Sequence, residues 1–278
     1  MVMFIDIHSH ISDKKFDGEV DAVILRAKDA GVGKIVCVGC DMETSKKALA
    51  FAEKFENVYA AIGFHPNNVF EFDKAAEELL LGAKNNKKVV AIGEIGLDYF
   101  DFEHQISEVK EIFPALSNLT KEEFIKKQKE IFIKQLEIAK EISLPIMIHM
   151  RDATSDTLKI LEENKSYVSN GGLMHCFSGS FETTMRVINL GLYFSIGGSI
   201  TFKNSRIMPE VLSEIGISRI TFETDCPYLS PEPFRGQRNE PKNIPLIAKR
   251  VSEITNIPLS DVERVSTENA YKVFPRLK

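Results

Sequence analysis

Strand-length apolar runs rich in Val and Ile alternate with amphipathic stretches along the chain, and this alternation constrains the fold more than any other feature. The runs lie around Phe4 to His8, Lys34 to Gly39, Val58 to Ile62, Val89 to Glu94, Pro145 to His149, Gly172 to His175, Leu192 to Ile196 and Ile220 to Glu223. Between them sit helical patterns such as Lys121 to Ser143, where Thr120 and Glu123 suit a capping box and Phe124, Phe132, Leu136 and Ala139 fall near one stripe. Strands that alternate with helices pair in parallel, because each helix carries the chain back over the sheet. Eight repeats in 278 residues favour an α/β fold made of a single closed (β/α)₈ TIM barrel, with 1–278 as one domain. An open doubly wound sheet has the same local pattern, but no G-x-G-x-x-G or G-x-x-x-x-G-K-S/T appears to support nucleotide binding on one.

A hydrophobic content of 44% can fill the core of a barrel of this size. The apolar runs are too short to span a membrane, and Met1 to Ile7 lacks the basic start and apolar stretch of a signal peptide. The expectation is therefore a cytoplasmic protein without membrane contact or an obligate protein partner. Four cysteines do not make a disulfide framework, and Cys37-Val38-Gly39-Cys40 has no second pair to complete a zinc site, so all four read as free thiols. A net charge of -5 argues against coating nucleic acid through a broad basic face, while leaving room for a local phosphate site built on bound metal. The segment from Tyr99 to Thr120 breaks the rhythm and is expected to be an extended loop after strand four, with a short helix over Ser107 to Phe113 before Pro114. A lid suits it, and so does an oligomer-forming insertion. After the last strand, Pro227 to Asn243 is rich in Pro, Arg and Asn, and helices from about Ile244 and Leu259 close the chain.

Barrel enzymes build their sites at the carboxyl ends of the strands. His8 and His10, two residues apart and so on one face, end the first predicted strand. His65 follows the third, Glu94 ends the fourth, His149 the fifth and His175 the sixth, and Asp225 follows the eighth. Only His104 among the histidines lies elsewhere. Taken singly, each has an ordinary reading as a surface pair, a hydrogen-bonded core histidine or a buried carboxylate paired with Lys or Arg. Together, His8, His10, His149 and His175 with Glu94 and Asp225 suit two divalent cations bridged by Glu94. Mixed N/O ligation leaves Zn, Mn and Mg open, with the imidazoles leaning toward a transition metal.

Longer motifs surround these residues: Asp6-Ile7-His8-Ser9-His10, Gly63-Phe64-His65-Pro66, Gly93-Glu94-Ile95-Gly96-Leu97-Asp98-Tyr99, His149-Met150-Arg151-Asp152-Ala153, His175-Cys176-Phe177-Ser178-Gly179, Glu223-Thr224-Asp225-Cys226-Pro227-Tyr228-Leu229 and Arg235-Gly236-Gln237-Arg238-Asn239-Glu240-Pro241. In this order they resemble the TatD family of metal-dependent deoxyribonucleases, within the amidohydrolase-like barrels. The resemblance implies one cation on His8, His10, Glu94 and Asp225 and a second on Glu94, His149 and His175. It implies Glu94 and Asp225 as catalytic residues, Glu94 as the bridge and Asp225 as acceptor of the water proton. His65, Arg151 and Arg235 would contact substrate phosphate, and Glu223 and Asp152 would either orient ligands or form ordinary rim salt bridges. The implied substrate is DNA, cleaved from the 3′ end of single or frayed strands. The stretch from Phe100 to Thr120 looks longer than the family usually has.

Two other readings remain. A hydrolase of the same barrel type could act on aminoacyl-tRNA esters or C–N bonds, although many C–N hydrolases bridge their metals with a modified Lys where this chain has Glu94. A noncatalytic scaffold should have lost at least one ligand, and none is replaced.

Overall fold

In a computed structural model that describes residues 3–278, eight strands pair in parallel in chain order: β1 (Phe4–Ser9), β2 (Val32–Val38), β3 (Val58–Ile62), β4 (Val89–Asp98), β5 (Ile146–Arg151), β6 (Gly172–Met174), β7 (Tyr193–Ile196) and β8 (Ile220–Phe222). The helices are α1 (Val20–Asp29), α2 (Met42–Lys54), α3 (Lys74–Gly82), α4 (Phe102–Ile112), α5 (Lys121–Glu141), α6 (Thr154–Glu163), α7 (Phe181–Asn189), α8 (Ile207–Ile215), α9 (Ile244–Thr255) and α10 (Leu259–Val273). The expected barrel is thus present. Where β1 and β8 approach, Asp225 N–H donates to the His8 carbonyl (3.0 Å) and His10 N–H to the Cys226 carbonyl (2.8 Å), which draws the first and last strands together at their carboxyl ends. No helix among the described residues is long and apolar enough to cross a membrane.

Strand alternation divides the core in two. Ile5, Ile7, Val36, Val38, Met147 and Leu173 form an inner cluster with Val273, Phe274 and Leu277 of the chain's end. That end is fixed beneath the strand starts: Arg276 donates to the carbonyls of Ala83, Asn86 and Val89, and Lys34 to that of Leu277. The other set of side chains, Ile35, Ile62, Ile92, Ile148, Phe194 and Phe222 among them, packs outward against the helices. All four cysteines are free.

The strands run differently from expectation where it matters for the site. Glu94 does not end β4, which continues to Asp98, and β5 continues past His149 to Arg151. The segment after β4 carries a helix longer than the expected Ser107 to Phe113. α4 starts at Phe102 because the Asp101 carboxylate caps the His104 N–H. α4 packs Phe102 and Val109 with Phe124 and Ile131 of α5 in a small apolar cluster of its own. The capping box of Thr120 and Glu123 forms as the sequence predicts.

Candidate metal centre

Two bulges aim the ligands. Between Asp6 and Ser9, β1 advances three residues while β2 advances two, and between Ile92 and Ile95, β4 does the same against β5. An extra residue breaks the strict in-out alternation and re-aims the side chains beside it. The bulges fall at His8 and at Glu94. The second needs glycine: a Cβ on Gly93 would lie 2.5 Å from the Met147 Cβ, and one on Gly96 would lie 2.0 Å from the His149 carbonyl oxygen at φ +146°. Three further strand ends are turned by residues in the left-handed region, Asp152 (φ 53°), Cys176 (φ 45°) and Asp225 (φ 54°). Each costs about 1 kcal/mol, and such strain gathers at functional sites.

These turns bring the six expected ligands together, with Glu94 at their centre. Glu94 Oε1 lies 2.6 Å from His149 Nδ1 and 2.7 Å from His175 Nε2. Its other oxygen faces His8 Nε2 at 3.5 Å and His10 Nε2 at 3.8 Å. Asp225 Oδ1 closes the second side, 3.3 Å from His10 Nε2 and 3.6 Å from His8 Nε2. His8 stacks on His175 with ring centroids 4.1 Å apart.

The ring nitrogens of His8 and His10 stand 3.0 Å apart, as do those of His149 and His175. Within each pair one proton can serve only one partner, so lone pairs converge on both sides of Glu94. Partners behind the rings favour this orientation. His10 Nδ1 lies 3.2 Å from the Val38 carbonyl and His149 Nε2 lies 3.1 Å from Asp98 Oδ2, so each donates backward and, in the neutral form that a cation would require, presents its other nitrogen toward Glu94. His175 Nδ1 faces the buried Glu223, which also accepts the Ser195 hydroxyl. Among the described residues four overlapping sets could hold a cation, namely His8, His10 and Glu94; Glu94, His149 and His175; His8, His175 and Asp225; and His65, Asp98 and His149, and such imidazole and carboxylate donors suit divalent cations.

Charge follows the same division. Burial would raise the Glu94 carboxyl, but His175, His8 and His149 outweigh it and hold it well below the usual carboxylate range. Burial, reinforced by His175, pushes His8 well below its ordinary value. His149 and His175 are drawn upward against their burial, by Asp98 and Glu94 and by Glu94 and Glu223 respectively. Protons on imidazoles thus balance the carboxylates that a cation would otherwise balance.

The expected substrate residues separate into two kinds. His65 joins the cluster, its Nε2 3.7 Å from Glu94 Oε1, and its Nδ1 accepts the Asn67 N–H at 3.1 Å. Burial and His149 push it down to about 3, so it is neutral, with its proton on the nitrogen that faces the site. Arg151 and Arg235 touch no ligand. They stand exposed on the rim, stacked on Phe100 and Phe202. Asp152 is exposed as well.

Sequence reasoning missed Asp6, Asp98 and two glutamines. Asp6 accepts the Thr224 N–H (3.0 Å) and hydroxyl, tying β1 to the strand end that carries Asp225. Gln128 and Gln135, both on the buried stripe of α5, bond both backbone groups of Asp98 and of Phe64 respectively at 2.8 to 3.1 Å. Their spacing of seven residues within an apolar stripe was the available signal.

Comparison with known proteins places this geometry in context. The profile of the TatD related DNase family matches residues 5–275. The chain is 39% identical over 272 residues to the uncharacterized metal-dependent hydrolase YabD of Bacillus subtilis, covering 98% of this chain and 99% of that one. It is 30% identical to the uncharacterized metal-dependent hydrolase YjjV of Escherichia coli, covering 98% and 97%. The crystal structure of YjjV superposes with a TM-score of 0.86 over 99% of both chains at 29% identity. That of a TatD family hydrolase from Entamoeba histolytica gives 0.79 over 98% of both at 27%.

Proposed function

The chain belongs to the TatD related DNase family of metal-dependent hydrolases, and from that premise we propose that it hydrolyses phosphodiester bonds of DNA, removing nucleotides from the 3′ end of single or frayed strands. One observation carries the two-metal part of this reading: the two oxygens of Glu94 face separate histidine pairs. Two divalent cations, one on His8, His10, Glu94 and Asp225 and one on Glu94, His149 and His175, would supply Lewis acidity toward a phosphate ester and lower the pKa of a water molecule.

The chain's own groups do the rest. Glu94 sets the spacing of the two ligand groups and would offset the charge of cations held there. Asp225, held by its backbone bond to His8, accepts the proton of the attacking water as the phosphorus–oxygen bond to the leaving sugar breaks. His65, neutral and with its N–H facing the site, donates to a phosphate oxygen without adding charge. Arg151 and Arg235 on the rim contact the phosphates that remain outside.

The test is an end-labelled single-stranded DNA incubated with metal-free protein and with protein loaded with Mg²⁺, Mn²⁺ or Zn²⁺, with Asp225→Asn as control. The expected result is a metal-dependent ladder that shortens from the 3′ end and is absent in the variant. DNA left intact under every metal, with amino acid released from an aminoacylated RNA, would move the assignment to the ester hydrolases.

A further inference from the structure

We propose that the Arg151–Phe100 and Arg235–Phe202 stacks form a binding surface for the unpaired bases and outer phosphates of a single-stranded DNA end, a proposal that rests on the reading of the substrate above. Phe100 follows β4, Arg151 ends β5, Phe202 follows β7 and Arg235 follows β8, so both stacks stand at the carboxyl end of the barrel. The guanidinium carbons lie 3.7 Å and 4.3 Å from the ring centroids. Arg151 also lines, with His175, a cavity of about 220 Å³.

Most arginines of the chain are engaged: Arg26, Arg186, Arg238, Arg250 and Arg264 are held by carboxylates and Arg276 by carbonyls. The guanidinium groups of Arg151 and Arg235 have no ion pair and no hydrogen bond among the described residues, so the five donors of each remain available to an incoming acceptor. Phe100 leaves 45% of its surface open, so its ring is accessible beside the Arg151 guanidinium. Its N–H donates to Asp98 Oδ1 at 2.8 Å, and its carbonyl accepts from Gln105 of α4. α4 and Asp98 therefore fix the backbone that carries this ring.

A flat ring beside an unneutralised guanidinium suits one ligand chemistry well, a π-faced base attached to a phosphate. An acidic peptide would use the arginines and leave the rings idle. Bases within a duplex are already stacked on one another, so only an unpaired end can reach both rings, and the rim thereby selects single strands.

The test measures, by fluorescence anisotropy, binding of the metal-loaded protein to a phosphorothioate oligothymidylate, which resists hydrolysis, and to an abasic strand of equal length. Phe100→Ala and Phe202→Ala should each weaken binding of the oligothymidylate about 5- to 150-fold, the worth of one base stack, and that of the abasic strand less than about 2-fold. Phe100→Trp should restore the loss, which a folding defect would not allow. Equal weakening on both strands, or none on either, overturns the proposal. Base-dependent binding by a wild-type protein that leaves unmodified DNA uncut would reject the nuclease reading and retain the surface. Cleavage with base-independent binding would do the reverse.

Discussion

Asp98 shows how much of the centre depends on a carboxylate outside the six expected ligands. Its Oδ2 accepts from His149 Nε2, its Oδ1 takes the Phe100 N–H and Gln105, and its backbone is bonded on both sides by Gln128. The carboxylate thereby sets which nitrogen of His149 turns toward Glu94. Asp98→Asn removes the acceptor and should lower the affinity for one of two cations about 10- to 100-fold, read by chelator competition, while the other binds as before. Wild-type affinity at both would contradict this. That His8, His10, Glu94, His149, His175 and Asp225 come together was legible in the sequence, because histidines and carboxylates at predicted strand ends have few competing explanations in number. Asp98 was not, because an Asp before an aromatic reads as ordinary loop chemistry until β4 is known to continue to it.

At the scale of elements, α5 does two jobs. Its apolar stripe covers the barrel, and Gln128 and Gln135 reach out of that stripe to satisfy backbone groups at the ends of β4 and just beyond β3. Gln135→Leu leaves the Phe64 N–H and carbonyl buried without partners, which should cost about 2–6 kcal/mol at about 1–3 kcal/mol per unsatisfied group. Urea denaturation would show it as a lower midpoint with an unchanged slope; an unchanged midpoint would mean that water replaces the amide. Helix periodicity gave away α5 and its cap, since both are local signals. The bulges of β1 and β4 were hidden because register depends on the partner strand, and without them β4 appeared to stop at Glu94. The start of α4 was hidden for a similar reason: Asp101 caps it from a left-handed φ of 49°, which no periodicity announces.

Over the whole molecule, the stretch after β8 is fastened to the first helix by charge. The Glu240 carboxylate is bonded by Arg26 at 2.8 Å and Arg238 at 3.0 Å, and Asn239 from the same stretch holds the carbonyls of Thr224 and Tyr228. Burial would raise Glu240, but Arg26 and Arg238 outweigh it and hold it below the usual carboxylate range. A carboxyl depressed by folding contributes stability that is complete above its unfolded value of about 4.3 and is lost as pH falls through the folded one. Glu240→Gln should therefore flatten the acid side of a plot of thermal midpoint against pH, and an unaltered acid slope would place the titration elsewhere.

The central claim is that Glu94 stands between two cations. Anomalous diffraction from crystals loaded with Mn²⁺ or Zn²⁺ tests it most directly. Two peaks are predicted, one between Glu94 and the pair His8 and His10 and one between Glu94 and the pair His149 and His175, with neither retained at full occupancy in Glu94→Gln. A single peak, or two that both lie away from the Glu94 carboxylate, would contradict the account.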